Sequence, residues 1–575
     1  METLDSEENR PVRPPLDLAA HLLELCRTEE GAHLARGCGL RRLTPSPVDA
    51  RLFFANPRAL AGPGGAEVLE RLAADPVVAS ARRKGATVSL RVTDDYVESL
   101  GRLLEAGDDP DLGRSDALSG QAVVVNYLNP NATKPLHIGH LRNVTIGNAL
   151  AATLEAAGAR VTRQCYVCDI GRNVCEAMAG YRAFHDGEDP VAAGERPDEF
   201  VGRCYAEYVA SLTGALAEAG SGADPIAAEA VLGDDAADAL IRGWMAGDPP
   251  TRELWRRLRA WSLAGQERTL ARLGAPMDRC FYESDSFPAV AAFVERGLAA
   301  GLLQRRGERG VVYPTAREEY ASVTLVREDG FPTEHARVIG LFLNEQDAAE
   351  DPDRWLVVAG DEWDTAGDVE LEIARRLGPA PLVPKVEVLF HGMVTLAGSK
   401  MKSRDGRALL IEDFLDGLAD SEEVRRLAAE FGEPVPREAL VDLLVKGYFL
   451  CRKITRPVEF RWEPFVDEVH NPAWTLARAW CRAAAGARVG VDEAPHDPEA
   501  YRIAVVQYAQ LRQLLDGARD EFQGTELLKF AVGLARWYLD RPADRRLHRV
   551  AVCLFHLGMD VLGLAPGHRG ADRSR

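Results

Sequence analysis

The chain has 575 residues, 46% of them hydrophobic and 27% charged, with a formal net charge of -19 from 69 Lys/Arg and 88 Asp/Glu. It is too long for one core, and about 150 residues per domain gives three or four. The acidic balance excludes nonspecific coating of nucleic acid, which needs a basic footprint, but leaves room for a nucleic-acid substrate held by a local basic face.

No apolar run reaches the roughly 18 residues of a membrane span. Residues 1–15 are acidic and Pro-rich without an apolar centre, which reads as a disordered leader and not a signal peptide. Ten sparse, irregularly spaced cysteines fit a reduced cytoplasmic protein. Cys165, Cys168 and Cys175 invite a metal or redox reading, but no fourth ligand accompanies them and packing is the preferred reading. No metal site is expected.

An N-terminal α/β module of residues 16–115 comes next. It has helix patterns at 16–25 and 66–73 and a strand at 87–92. Thr93 and Asp94 then cap a helix over 96–106. Residues 107–120 have the Gly, Asp and Ser composition of a linker. The second domain, 116–455, opens with a β-branched strand pattern at 122–127 and a loop of Asn and Pro at 128–136. A helix starts near Ile138, and Gly158 stops it. With the strand pattern at 160–168 this makes a βαβ unit whose crossover helix begins at His137-Ile138-Gly139-His140. A helix start presents free N–H groups and a positive dipole end, so two imidazoles there sit where a phosphate would bind.

Residues from about 180 to 274 read as an Ala-rich, acidic helical insertion. The strand signal is expected to resume only at 311–314, then at 322–327, 355–359 and 386–390, and the alternation with helices argues for a parallel sheet. Residues 398–406 (GSKMKSRDG) form a basic loop between glycines. Charge runs are usually solvated, but this one follows a strand of a nucleotide-binding type of sheet, which favours a phosphate clamp. The third domain, 456–575, is helical in pattern. Its aromatic and basic residues, among them Trp474, Arg478 and Trp480, are compatible with a solvated bundle face or with a surface that docks a polyanion.

A His-x-Gly-His helix start followed far downstream by a Lys-Met loop resembles the class I aminoacyl-tRNA synthetases, and within them the arginyl-tRNA synthetases. The stretches Asn129-Pro130-Asn131, Lys134-Pro135-Leu136, His137 to Asn143, Asp169-x-Gly171 and 398–406 carry the resemblance. It implies a multidomain α/β protein. The parts would be a Rossmann-type parallel-sheet catalytic domain with a helical insertion, a small N-terminal module contacting tRNA, and an all-α bundle like an anticodon-binding domain.

The resemblance also implies an ATP-dependent aminoacyl-tRNA ligase. An amino acid carboxylate attacks the α-phosphate of ATP, and the acyl group then passes to tRNA. His137, His140, Lys400 and Lys134 would be catalytic, and ATP would contact His137, Gly139, His140, Lys400, Met401, Lys402 and Ser403. Mg²⁺ would enter with ATP. The expected partners are tRNA, with Trp474, Arg478 and Trp480 in contact, and arginine or an analogue. The protein is expected to be monomeric and off the membrane.

Selecting a guanidinium needs carboxylates placed for bidentate pairing. Positions aligned with the family's amino-acid contacts are Ser89, Asn126, Asn129, Asn131, Glu334, Val338 and Asp361. Family members carry an acid where Asn126 stands, and a Tyr and an Asp where Glu334 and Val338 stand. Arginine specificity is therefore open. The alternatives are a paralogue charging another amino acid and a noncatalytic tRNA- or nucleotide-binding regulator.

Overall fold

The computed structural model describes residues 14–27, 35–40, 48–54, 63–218, 236–315, 321–344, 352–377, 386–396, 399–400, 409–485, 495–518, 521–522, 524–541 and 544–564. Nearly all of the expected leader lies outside them, as do Met401, Lys402 and Ser403.

Five parallel strands form the central sheet in the order Val386–His391, Arg354–Gly360, Ala122–Leu128, Arg160–Val167, Arg279–Tyr282. Strands Ala122–Leu128 and Arg354–Gly360 are mostly apolar on both faces, as a sheet covered by helices on both sides requires. The chain leaves Ala122–Leu128 towards one edge and returns at Arg354–Gly360 on the other side. The carboxyl ends of these two strands thus flank a topological switch point, the place where open α/β sheets bind ligands. Helix Ile138–Ala156 packs so closely on the first strand that a Cβ on Gly147 would lie 2.1 Å from Tyr127 side-chain atoms.

Two expectations about the sheet are corrected. The strand signal resumes at Arg279–Tyr282, a four-residue edge strand too short and too polar to show alternation. Strands Gly310–Pro314 and Ser322–Val326 do not join the parallel sheet; with Gln304–Arg306 they make a separate antiparallel one.

The helical insertion is present, with helices Arg172–Phe184, Pro197–Glu218, Ala236–Ala246 and Pro249–Arg272 around a core of their own. The N-terminal module is a four-stranded antiparallel sheet with helices. Thr93 caps helix Asp94–Ala106 by accepting from the Tyr96 N–H, as expected. This module sits on the C-terminal bundle. Arg502 reaches Asp49 at 3.0 Å, and Arg546 reaches Glu98 at 2.9 Å and Glu105 at 2.8 Å. Among the described residues no helix is long and apolar enough to cross a membrane.

Candidate active site

A cavity of about 310 Å³ opens at the switch point. Leu128 and Asn129, Tyr166 and Cys168, Val357 to Gly360, and Phe390 and His391 line it from the carboxyl ends of four strands. His137, Gly139, His140 and Asn143 line it from the start of helix Ile138–Ala156.

The histidines are arranged by the helix start itself. His137 is the N-cap, with extended backbone, and its Nδ1 accepts from the Gly139 N–H at 3.1 Å. His140 Nδ1 accepts from the His137 N–H at 3.2 Å. A neutral imidazole whose Nδ1 accepts must carry its proton on Nε2. Both rings, 4.1 Å apart, are therefore Nε2–H donors on the cavity wall. Burial, with Lys134 beside it, lowers His137 to about 4; burial, with His137 and Lys134 beside it, lowers His140 well below the usual range. Neutral donors suit an incoming polyanion without titrating near pH 7.

The loop before the helix is pinned from the insertion. Gln266 Nε2 donates to Asn131 O at 2.9 Å and to Lys134 O at 2.8 Å. The far end of the basic loop returns to the same helix start: Ile138 N–H donates to Leu409 O at 3.1 Å, and Ile411 N–H to Leu136 O at 3.2 Å. At its near end, Ser399–Lys400 pairs antiparallel with Val394–Leu396, which pairs with Val458–Phe460 of the C-terminal segment. Lys400 thus stands on a strand two residues beyond one that borders the cavity.

Arg142, fully buried one turn into the helix, ties these parts together. It donates to Gly392 O at 2.6 Å, Arg456 O at 2.8 Å and Ile454 O at 2.9 Å. Gly392 lets the 454–457 backbone approach, since a Cβ there would meet Arg456 C at 2.4 Å.

Three carboxylates face the cavity, and only Glu334 among them was singled out from the sequence. Glu283 is 1% exposed and accepts from Arg337 Nε at 2.7 Å; burial still pushes it up to about 7. Glu370 pairs with His335 Nδ1 at 2.9 Å; burial raises the acid, and the bond raises the histidine. Glu334 begins helix Glu334–Asn344, is exposed, and has no hydrogen bond or ion pair among the described residues. Among the described residues it is the one cavity carboxylate available to a cationic ligand. His391, whose Nε2 meets Asn143 Oδ1 at 2.5 Å, was also missed, and only its position at a strand's carboxyl end marks it in the sequence.

The other expected amino-acid contacts scatter. Asn129 and Val338 line the cavity. Asn126 is fully buried and is not among the lining residues, with neither amide atom hydrogen-bonded. Asn131 is occupied locally, accepting from Thr133 at 2.7 Å, and Asp361 is exposed on a 3-10 turn beside the cavity-lining Gly360 and Trp363. Ser89 lies in the N-terminal sheet opposite Arg51 and Arg82 and is not among the lining residues. Of the bundle residues offered as tRNA contacts, Trp474 is corrected: it is 3% exposed, donates to Phe465 O at 2.9 Å, and is a core residue that cannot stack on a base. Arg478 is half-buried and paired with Glu430 and Glu468, and Trp480 is half-buried against His556.

A family model described as "tRNA synthetases class I (R), catalytic domain" matches residues 109–430. The chain belongs to this family. Its relatives include the arginine–tRNA ligase of Amoebophilus asiaticus, 32% identical over 311 residues, which cover 53% of this chain and 51% of the relative. That of Treponema pallidum is 30% identical over 321 residues, covering 55% and 52%. The chain spans about half the length of these curated relatives. The arginyl-tRNA synthetase of Thermus thermophilus superposes over 95% of this chain and 99% of its own with a TM-score of 0.62 at 20% identity. That of Plasmodium falciparum does so over 95% and 97%, with a TM-score of 0.63 at 13% identity. The shared fold therefore extends across the N-terminal module and the C-terminal bundle, beyond the region matched by the family model.

Proposed function

We propose that the protein is an ATP-dependent aminoacyl-tRNA ligase of arginyl type, activating arginine or an analogue of it. The observation that carries this reading is the pair of neutral Nε2–H donors, His137 and His140, at a helix N-terminus on the wall of a switch-point cavity. In the first step the amino acid carboxylate displaces pyrophosphate from the α-phosphate of ATP. Charge builds on phosphate oxygens, so catalysis is positioning and electrostatic stabilisation. His137 and His140 donate to those oxygens, and Gly139 lines the wall between them. Lys400, with Met401, Lys402 and Ser403 of its loop, holds the departing phosphates, and Lys134 adds positive charge beside the histidines. Mg²⁺ arrives on ATP and offsets its charge, needing no cage of protein ligands.

Glu334 is the proposed partner of a cationic side chain, with Asn129 and Val338 beside it. Asn126, Asn131, Asp361 and Ser89 are not among the lining residues. A second reading, a paralogue charging another amino acid, is favoured by one observation: the fully buried Asn126 is neutral where a carboxylate is expected. The activated acyl group then passes to tRNA, which Arg478 and Trp480 help to hold, the enzyme acting as a cytoplasmic monomer. Exchange of pyrophosphate into ATP, measured with tRNA present and each amino acid in turn, tests this. His140→Ala and Lys400→Ala should abolish exchange.

A further inference from the structure

We propose that Cys165 and Cys280 form a peroxide-sensitive thiol pair that closes to an intramolecular disulfide at the edge of the catalytic sheet. Strands Arg160–Val167 and Arg279–Tyr282 run parallel, with Cys165 directly opposite Cys280. Neighbouring strands lie about 4.8 Å apart, inside the 4.4–6.8 Å that a disulfide spans between Cα atoms. Residues in register on paired strands point to the same face, and here the two sulfurs are 2.8 Å apart. Closing to a bond of about 2.05 Å needs a movement of less than about 1 Å.

The two thiols are unequal in the way a reactive pair requires. Cys165 is 3% exposed, whereas Cys280 is exposed on the edge strand, where among the described residues no further strand pairs. The hydrogen bond from Cys165 lowers the Cys280 thiol, and the same bond together with burial raises Cys165. Burial raises Cys26, Cys38, Cys204, Cys481 and Cys553, so these thiols are poor nucleophiles by comparison. A metal site is a poorer explanation. Two sulfurs fall short of the four ligands of a structural zinc, and among the described residues no group of three or more His, Cys, Asp or Glu could hold a metal.

The chemistry balances with a hydroperoxide as oxidant. The Cys280 thiolate attacks the terminal peroxide oxygen; the O–O bond breaks, and the other oxygen leaves as water or an alcohol with one proton. Cys280 is then a sulfenic acid. Cys165 sulfur attacks Cys280 sulfur, the S–S bond forms, the S–O bond breaks, and the hydroxyl leaves as water with the Cys165 proton. Two electrons pass from the two thiols to one peroxide. A cross-link between adjacent strands is of the labile kind that reduces readily. Its two ends lie three residues before Cys168 and Glu283, which follow the two strands and line the cavity.

The test treats the full-length protein with one equivalent of hydrogen peroxide, alkylates residual thiols, and maps peptides without reduction. The expected result is one cross-linked species joining the Cys165 and Cys280 peptides, two hydrogens lighter than the reduced pair and lost on adding dithiothreitol. Cys165→Ala, which keeps the buried site apolar, should abolish the cross-link and leave Cys280 as a sulfenic acid trapped by dimedone. Full alkylation of both thiols after peroxide would overturn the proposal. So would a cross-link using any other cysteine, or a Cys280 that dimedone does not label in Cys165→Ala.

Discussion

His140 Nδ1 accepts the backbone N–H of His137, the residue that caps its own helix, so the backbone of the helix start orients both imidazoles at the cavity wall. The cap and the donor roles of His137 can be separated. Asn is a good N-cap and Ala a poor one, differing by about 0.5–2 kcal/mol. His137→Asn should keep the melting temperature near wild type while lowering kcat for adenylation about 100-fold or more, the scale of losing one transition-state donor. His137→Ala should lose both. Thermal melts and pyrophosphate exchange on the two variants check this.

The histidines also set an acid limit. His137 is held at about 4 in the folded chain against an ordinary 6.5, chiefly by burial and then by Lys134. Between those values the unfolded chain takes up a proton that the folded one refuses, so this stabilisation, full above about 6.5, is lost as pH falls towards about 4. His140 acts in the same direction. Unfolding midpoints should drop between pH 7 and pH 5. Lys134→Met, by removing a nearby positive charge, should make that drop smaller and raise the pH at which His137 protonates, as followed by NMR of the ring.

What the sequence revealed and what it hid follow from how far each signal reaches. The strand, loop and helix of the His137 motif are local, and composition and caps report them. Arg279–Tyr282 was hidden because four residues with an Arg and a Cys show no period. Glu283 and Glu370 were hidden because a buried acid is recognised by its partner, and Arg337 and His335 come together with them only in the folded chain. Trp474 misled because helical spacing places an aromatic on a face without saying whether that face is core or solvent. Asn126 and Val338 were legible as departures, but the availability of Glu334 needed the structure.

Arg142 should act as a positioning residue between the catalytic helix and the chain entering the C-terminal bundle. Its removal takes away charge-assisted hydrogen bonds to the carbonyls of Gly392, Ile454 and Arg456, each worth about 1.5–3 kcal/mol. Arg142→Met should therefore lose about 3 kcal/mol or more in urea unfolding. Arg142→Lys keeps the charge without the planar fork and should recover only part of the loss.

The Glu283–Arg337 pair predicts a pH-dependent defect. In Arg337→Met a buried carboxylate loses its cation, a change worth about 3–5 kcal/mol when the acid is ionised. Glu283 already sits at about 7 with Arg337 present. A carboxyl raised above its unfolded value favours folding when protonated, and that contribution is lost as pH rises through about 4.5 to 7. The destabilisation by Arg337→Met should accordingly be large at pH 8 and small at pH 5.5. Adding Glu283→Gln should remove the dependence, as read from urea midpoints at the two pH values.

The most direct measurement of adenylation at His137 and His140 is tRNA-dependent pyrophosphate exchange across the amino acids, run on wild type, His140→Ala and Glu334→Gln. The expected result is exchange supported by arginine or another cationic amino acid. His140→Ala should abolish it, and Glu334→Gln should raise the KM for that amino acid more than tenfold while leaving the KM for ATP unchanged. Wild-type protein that binds ATP but exchanges pyrophosphate with no amino acid would contradict the account.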